Sequence, residues 1–120
     1  MARVAGHHGL HATLLVRTPQ GDDIAIDHKL APVISLLWWH GFKTRECCQD
    51  DLEMTPGRAY IDFVSMPHAV RFIRESAQRA EDANVPDVNL WTFDIRLHDA
   101  GYGVRVLFEA TAIGSLCRVW

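Results

Sequence analysis

The 120 residues predict one α+β domain: a βαββαβ core with an extra strand at each end and two helices packed on one face of the sheet. Three observations carry this expectation. Two apolar stripes recur at helical spacing within residues 30–38 and 66–80, one stretch at 91–98 alternates with period two, and Gly/Pro-rich clusters separate these segments. The length suits a single core, and 48% hydrophobic with 22% charged residues is ordinary globular composition.

Taken in order, residues 1–10 are small and Gly/His-rich and read as a loose leader, with the domain spanning 11–120. Residues 12–17 (ATLLVR) form a short apolar run that ends in the turn-rich Thr18-Pro19-Gln20-Gly21-Asp22. Ile24-Ala25-Ile26 returns from it, so the pair reads as a hairpin. Asp27 is expected to cap a helix that carries Leu30, Val33, Ile34, Leu37 and Trp38, with Pro32 in its first turn and Gly41 as its stop. Residues 42–48 (FKTRECC) are strand-like, and a loop with a turn at Pro56-Gly57 leads to the strongly β-prone Tyr60-Ile61-Asp62-Phe63-Val64. Ser65 then opens a second helix with Met66, Ala69, Val70, Ile73, Ala77 and Ala80 on one stripe. It ends near Ala83-Asn84, because Pro86 biases Val85 away from helical geometry. Trp91, Phe93, Ile95 and Leu97 alternate with Thr92, Asp94, Arg96 and His98, which predicts the first set as the buried face of a strand. After a turn at residues 99–103, Val104, Val106, Phe108 and Ala110 continue the alternation. Residues 111–120 show no period and receive no assignment. The inner six elements thus follow the order of the ferredoxin-like fold.

Charge and composition narrow the function. Twelve Lys+Arg against fifteen Asp+Glu leave a net charge of −3 with no basic stripe, which argues against nucleic acid as a partner, since phosphate neutralisation needs clustered cations. The apolar run 33–39 is broken by Ser35 and is far short of the ~20 residues of a membrane span. The first residues lack the uninterrupted apolar core of a signal peptide. Three cysteines, two of them adjacent, do not make a disulfide framework, so a reducing cytoplasm is the expected location. No phosphate-binding loop, nucleophile elbow or His-Glu-x-x-His helix occurs, and no catalytic residue, cofactor or metal is expected.

The candidate site residues fall into three groups. Consecutive Trp38 and Trp39 on a helix diverge by ~100°, so one core does not easily take both. Trp39, flanked by Leu36, is therefore the expected contact for a protein partner or a second copy of the chain. His40, Cys47, Cys48 and Asp50 are the right residue types for a thiol or zinc site, although the paired spacing of structural zinc sites is absent. In a strand, Cys47 and Cys48 should point to opposite faces. His7, His8 and His11 cluster in the leader, and Asp50, Asp51 and Glu53 in a loop that lacks the pattern of a calcium-binding EF-hand.

Two resemblances complete the reading. Gly57-Arg58-Ala59-Tyr60-Ile61-Asp62-Phe63, followed by Ala69-Val70-x-x-Ile73, resembles the longer signature of the RNA-recognition motif and its following helix. That resemblance implies base stacking on Tyr60, with Arg58 where the family has another aromatic and Pro56 where it has a basic residue. Over residues 26–75, the succession Ile26-Asp27, Ala31-Pro32, Leu36, Trp38, Gly41, Thr44, Cys48-Gln49-Asp50 and Gly57-x-Ala-Tyr-Ile-x-Phe is similar to small uncharacterised α+β proteins of high-GC actinobacteria and their phages. No activity comes with it. The expectation is a small non-enzymatic binding protein, with a nucleic-acid-binding domain and a small cysteine- or metal-dependent enzyme as alternatives.

Overall fold

A computed structural model describes residues 11–50, 56–97 and 103–120. The expected leader (1–10) with His7 and His8, the acidic loop residues Asp51 and Glu53, and residues 98–102, which hold most of the turn expected at 99–103, lie outside them. The elements are β1 (Thr13–Arg17), β2 (Asp23–Asp27), α1 (Ala31–Trp39), β3 (Thr44–Cys48), β4 (Arg58–Phe63), α2 (Met66–Asp82), β5 (Phe93–Leu97), β6 (Val104–Glu109) and α3 (Ile113–Val119). One-turn 3₁₀ segments precede β5 and α3. Among these elements no helix is long and apolar enough to cross a membrane.

The class is α+β, and the strands form two antiparallel sheets. β1 and β2 make the hairpin the sequence predicts, with Leu15 opposite Ala25. A ferredoxin-like arrangement would place β2 inside the main sheet. The four-stranded sheet instead runs β3-β4-β6-β5, with β6 between β4 and β5. The residues explain the exchange. β6 pairs along its whole length with β4, from Arg58–Glu109 to Phe63–Val104, and also with β5. Its Val106, Leu107 and Phe108 are buried on both faces, as a central strand requires. β2 begins with exposed Asp23 and Ile24 and suits only a local hairpin.

Among the described residues, the helical layer contains three helices rather than two. Residues 113–119, left unassigned from sequence, form α3, which buries Ile113, Leu116 and Val119. One apolar cluster joins Val33, Ile34 and Leu37 of α1, Phe72 and Ile73 of α2, and Leu116 of α3 to Ala59, Ile61 and Phe63 of β4 and to Val104, Val106 and Phe108 of β6. Phe72 sits at its centre, with ring centroids 5.0 Å from Phe63 and 5.6 Å from Phe93. α2 ends as expected: Asn84 takes a left-handed conformation (φ 57°), and the Val85 N–H reaches back to the Ala80 carbonyl at 2.8 Å.

Two further expectations are corrected. Asp27 does not cap α1. It is the last residue of β2 and fully buried, and Leu30 holds the cap position without a side-chain hydrogen bond. In β5, Phe93, Ile95 and Leu97 do share the core-side face, opposite Phe108, Val106 and Val104, but only Phe93 is buried. Leu97 is 72% exposed and Ile95 40%, while Trp91 lies in the 3₁₀ turn at 94% exposure. The reason is position: β5 is an edge strand, and the apolar layer that covers β4 and β6 reaches only its first residue.

Candidate functional site

α1 separates its two tryptophans as helical geometry requires. The Trp38 indole N–H donates to Thr44 Oγ1 at 2.9 Å and the ring is half-buried, while Trp39 is 69% exposed beside half-buried Leu36. Arg58 and Tyr60 lie on β4, and Tyr60 belongs to the face away from the helices. Arg58 donates to Asp94 of β5 at 2.6 Å. Tyr60 is buried with Cys48 and Leu107, and the Arg105 guanidinium lies 3.7 Å over its ring. Asp62 holds that guanidinium by a two-pronged pair of 2.8 and 2.9 Å. A base could stack on Tyr60 only after displacing Arg105 from both partners. Burial also pushes the Tyr60 hydroxyl pKa well above its ordinary value.

The thiol candidates separate. Cys47 joins the main apolar cluster and Cys48 the Tyr60–Leu107 cluster, so the adjacent cysteines face opposite sides. Burial, followed by the negative charge of Asp27, pushes the Cys47 pKa far up and keeps the thiol protonated. His40 follows α1, its ring edge-on to Trp120 at 5.4 Å, and precedes β3, whereas Cys48 ends that strand roughly 13 Å further along. His68 is engaged elsewhere, with Nδ1 accepting from the Lys43 N–H at 3.2 Å. Neither imidazole is placed as a base for Cys48.

What does surround Cys48 was not readable from sequence. His11, just before β1, and Asp27, at the end of β2, place their ligand atoms within 4.8 Å of each other and of the Cys48 sulfur. Residues Gln49 and Asp50 organise them. The Gln49 N–H donates to Asp27 Oδ2 at 3.0 Å, and Gln49 Oε1 accepts from the Lys29 N–H at 2.9 Å. His11 Nε2 lies 2.8 Å from the Asp50 carbonyl, and the Asp50 side chain accepts from the Gly57 N–H. Positions 11, 27 and 48 share no motif spacing, and only the meeting of three strand ends brings them together. Of the described residues, these are the ones that could hold a metal ion.

Exposed apolar side chains gather around β5 among the described residues. Its outer edge has no strand partner among the described residues, and Leu90, Trp91, Ile95 and Leu97 are all exposed. An open groove of about 480 Å³ runs between α2 and the segment leading into β5, lined by apolar Ala77, Val88 and Trp91 and also by charged Arg74 and Glu81. Asp94 and Arg96 stand on the other face of the strand. Arg96 lies opposite Arg105, which Asp62 already neutralises, and has no acidic partner among the described residues.

Comparison with protein-family models, curated proteins and solved structures finds no match for this chain.

Proposed function

We propose that the protein is a small non-enzymatic binding module whose contact surface is the outer edge of β5, and that the partner this edge fits best is a second copy of the chain. The observation that carries the reading is the sequence Phe93-Asp94-Ile95-Arg96-Leu97, which is complementary to itself when reversed. Two copies paired antiparallel about Ile95 put Ile95 against Ile95, Phe93 against Leu97, and Asp94 against Arg96 twice. Directly opposed side chains in an antiparallel pair share a face, so the apolar pairs align on the helix side and the ion pairs on the open side. Arg96 gains the acid it lacks, while Asp94 keeps one oxygen for Arg58. The edge N–H and C=O groups gain partners as well, and the two sheets become one of eight strands. Trp39 on α1, with Leu36 beside it, is another exposed apolar contact consistent with a protein that works by binding.

A five-residue strand with two exposed aliphatic side chains covers much less than the ~1,600 Å² of a standard interface. The dimer is therefore weak, with a dissociation constant of about micromolar or above, and concentration-dependent. Sedimentation velocity from low to high micromolar protein tests the reading: the wild type should move from monomer to dimer, and Ile95→Lys should remain monomeric with its fold intact. A wild type that stays monomeric at the highest concentration, or an Ile95→Lys variant that dimerises equally well, overturns it.

A further inference from the structure

We propose that His11, Asp27 and Cys48 form a binding site for a divalent transition metal of the zinc class, fastening the β1–β2 hairpin to the end of β3. The ligand types set the class of ion. One imidazole nitrogen, one carboxylate oxygen and one sulfur suit zinc and its neighbours, whereas calcium and magnesium require oxygen throughout. The spacing suits it too. A tetrahedral ion with bonds of ~2.0–2.3 Å holds its ligand atoms roughly 3.3–3.8 Å apart, and these three already lie within 4.8 Å of one another. A contraction of about one ångström closes the site.

An independent observation points to the ion. Asp27 is fully buried, and its Oδ2 is occupied by the Gln49 N–H. Its Oδ1 is buried with no hydrogen-bond partner among the described residues. Buried carboxylate oxygens are almost always hydrogen-bonded or bound to a cation, because desolvation without compensation is costly. The hydrogen bonds around His11 supply the second half of the argument. The Asp50 carbonyl can only accept, so His11 Nε2 carries the proton and Nδ1 presents its lone pair. A ring nitrogen fixed by a backbone carbonyl, with the other nitrogen free to ligate, is the usual support of a metal-binding histidine. The Gln49 side-chain amide lies 3.4 Å from Nδ1, a long contact that an incoming ion displaces at little cost.

The charges balance. On binding, the Cys48 thiol loses its proton to solvent, and thiolate and carboxylate together neutralise the divalent ion, so the buried site carries no net charge. Three protein ligands leave a fourth position for water or an external ligand. The site shares no residue with the β5 edge and stands or falls separately from it.

The test uses the full chain with any affinity tag removed, stripped with a chelator and titrated with zinc. One ion per chain should bind with micromolar affinity or better and raise the thermal midpoint, with binding weakening as pH falls and the thiol stays protonated. Loss of supporting hydrogen bonds alone typically costs 10–100-fold in metal affinity, so removing a ligand by Cys48→Ser or His11→Ala should cost at least about 100-fold. His11 is only half-buried, so His11→Ala remains informative if replacing Cys48 perturbs folding. Cobalt should give a thiolate-to-metal charge-transfer band that persists in Cys47→Ser and Cys117→Ser and disappears in Cys48→Ser. The joint variant His7→Ala/His8→Ala should bind as the wild type does. A folded chain that binds no stoichiometric zinc, or whose binding survives Cys48→Ser or depends on His7 and His8, overturns the proposal.

Discussion

Reversing the two charges of β5 one at a time tests the edge pairing at its most specific point. In the dimer centred on Ile95, each Asp94 faces an Arg96, so Arg96→Asp replaces two attractive pairs with two repulsive ones, as does Asp94→Arg. A cross-strand charge pair contributes roughly 0.2–1 kcal/mol, and inverting its sign about doubles the change. Two such pairs give about 0.8–4 kcal/mol, a weakening of about 4-fold to nearly 1,000-fold in dissociation constant. The pairs are solvent-facing, so the effect should shrink with added salt. Each single variant should therefore be monomeric at concentrations where the wild type dimerises. Mixed together, the two variants should associate, because one strand then carries two arginines and the other two aspartates. Asp94 also accepts from Arg58 within its own chain, so Asp94→Arg loses an internal ion pair, and Arg96→Asp is the cleaner arm. Analytical ultracentrifugation of each variant and of the mixture, with thermal midpoints as folding controls, gives the answer. Folded single variants that dimerise like the wild type at low salt, or a mixture that stays monomeric, would refute the register.

Three further outcomes follow from burial. Trp39→Ala should move the thermal midpoint by less than about 4 °C, since an exposed substitution is usually within ~0.5 kcal/mol; a larger loss by calorimetry would make Trp39 a core residue. Phe72→Ala should cost about 3–5 kcal/mol and lower the midpoint by more than about 10 °C, because the ring is fully buried against Phe63, Phe93, Phe108 and Trp120. Cys47 should resist alkylation in the native state at pH 8 while reacting in denaturant. Because its folded pKa lies above the ordinary 9.0, the unfolded chain releases a proton that the folded chain keeps, so its contribution to stability is complete below pH 9 and is lost as pH rises further. Cys47→Ala should flatten that alkaline fall in chemical denaturation.

The legible parts of the fold were those fixed by local pattern. α2 was readable because seventeen residues carry one stripe and a proline follows its stop. The β1–β2 hairpin was readable from its turn. α3 was not, since seven residues with Gly114 and Ser115 inside them show too few turns for a period to emerge. Asp27 carried a misleading signal: an acid just before an apolar helical stripe looks like a cap, yet the same residue ends a strand and turns inward. Of the candidate sites, the divergence of Trp38 and Trp39 and of Cys47 and Cys48 was legible because it depends on neighbouring residues alone. The meeting of His11, Asp27 and Cys48 was not, because sheet topology creates it.

The same distinction bears on β5, whose face was legible while its exposure was not. The main sheet has two edges, β3 and β5, and the chain treats them differently. β3 is interrupted by a register shift between Thr44 and Cys47, which breaks the regular row of groups another strand would need. At its end, Gln49 and Asp50 bind Asp27 and His11, so the hairpin is tied against that side. Among the described residues, β5 has none of these protections. It pairs in unbroken register with β6, contains no proline, and points aliphatic side chains rather than charges toward the helix side. Soluble proteins commonly blunt an edge strand with a bulge, a proline, an inward-pointing charge or a covering segment. A chain that guards one edge and leaves the other regular and apolar has the open edge available for pairing. In the proposed dimer, the alternation of Asp94 and Arg96 would favour a strand of complementary charge, which a second copy of the chain supplies.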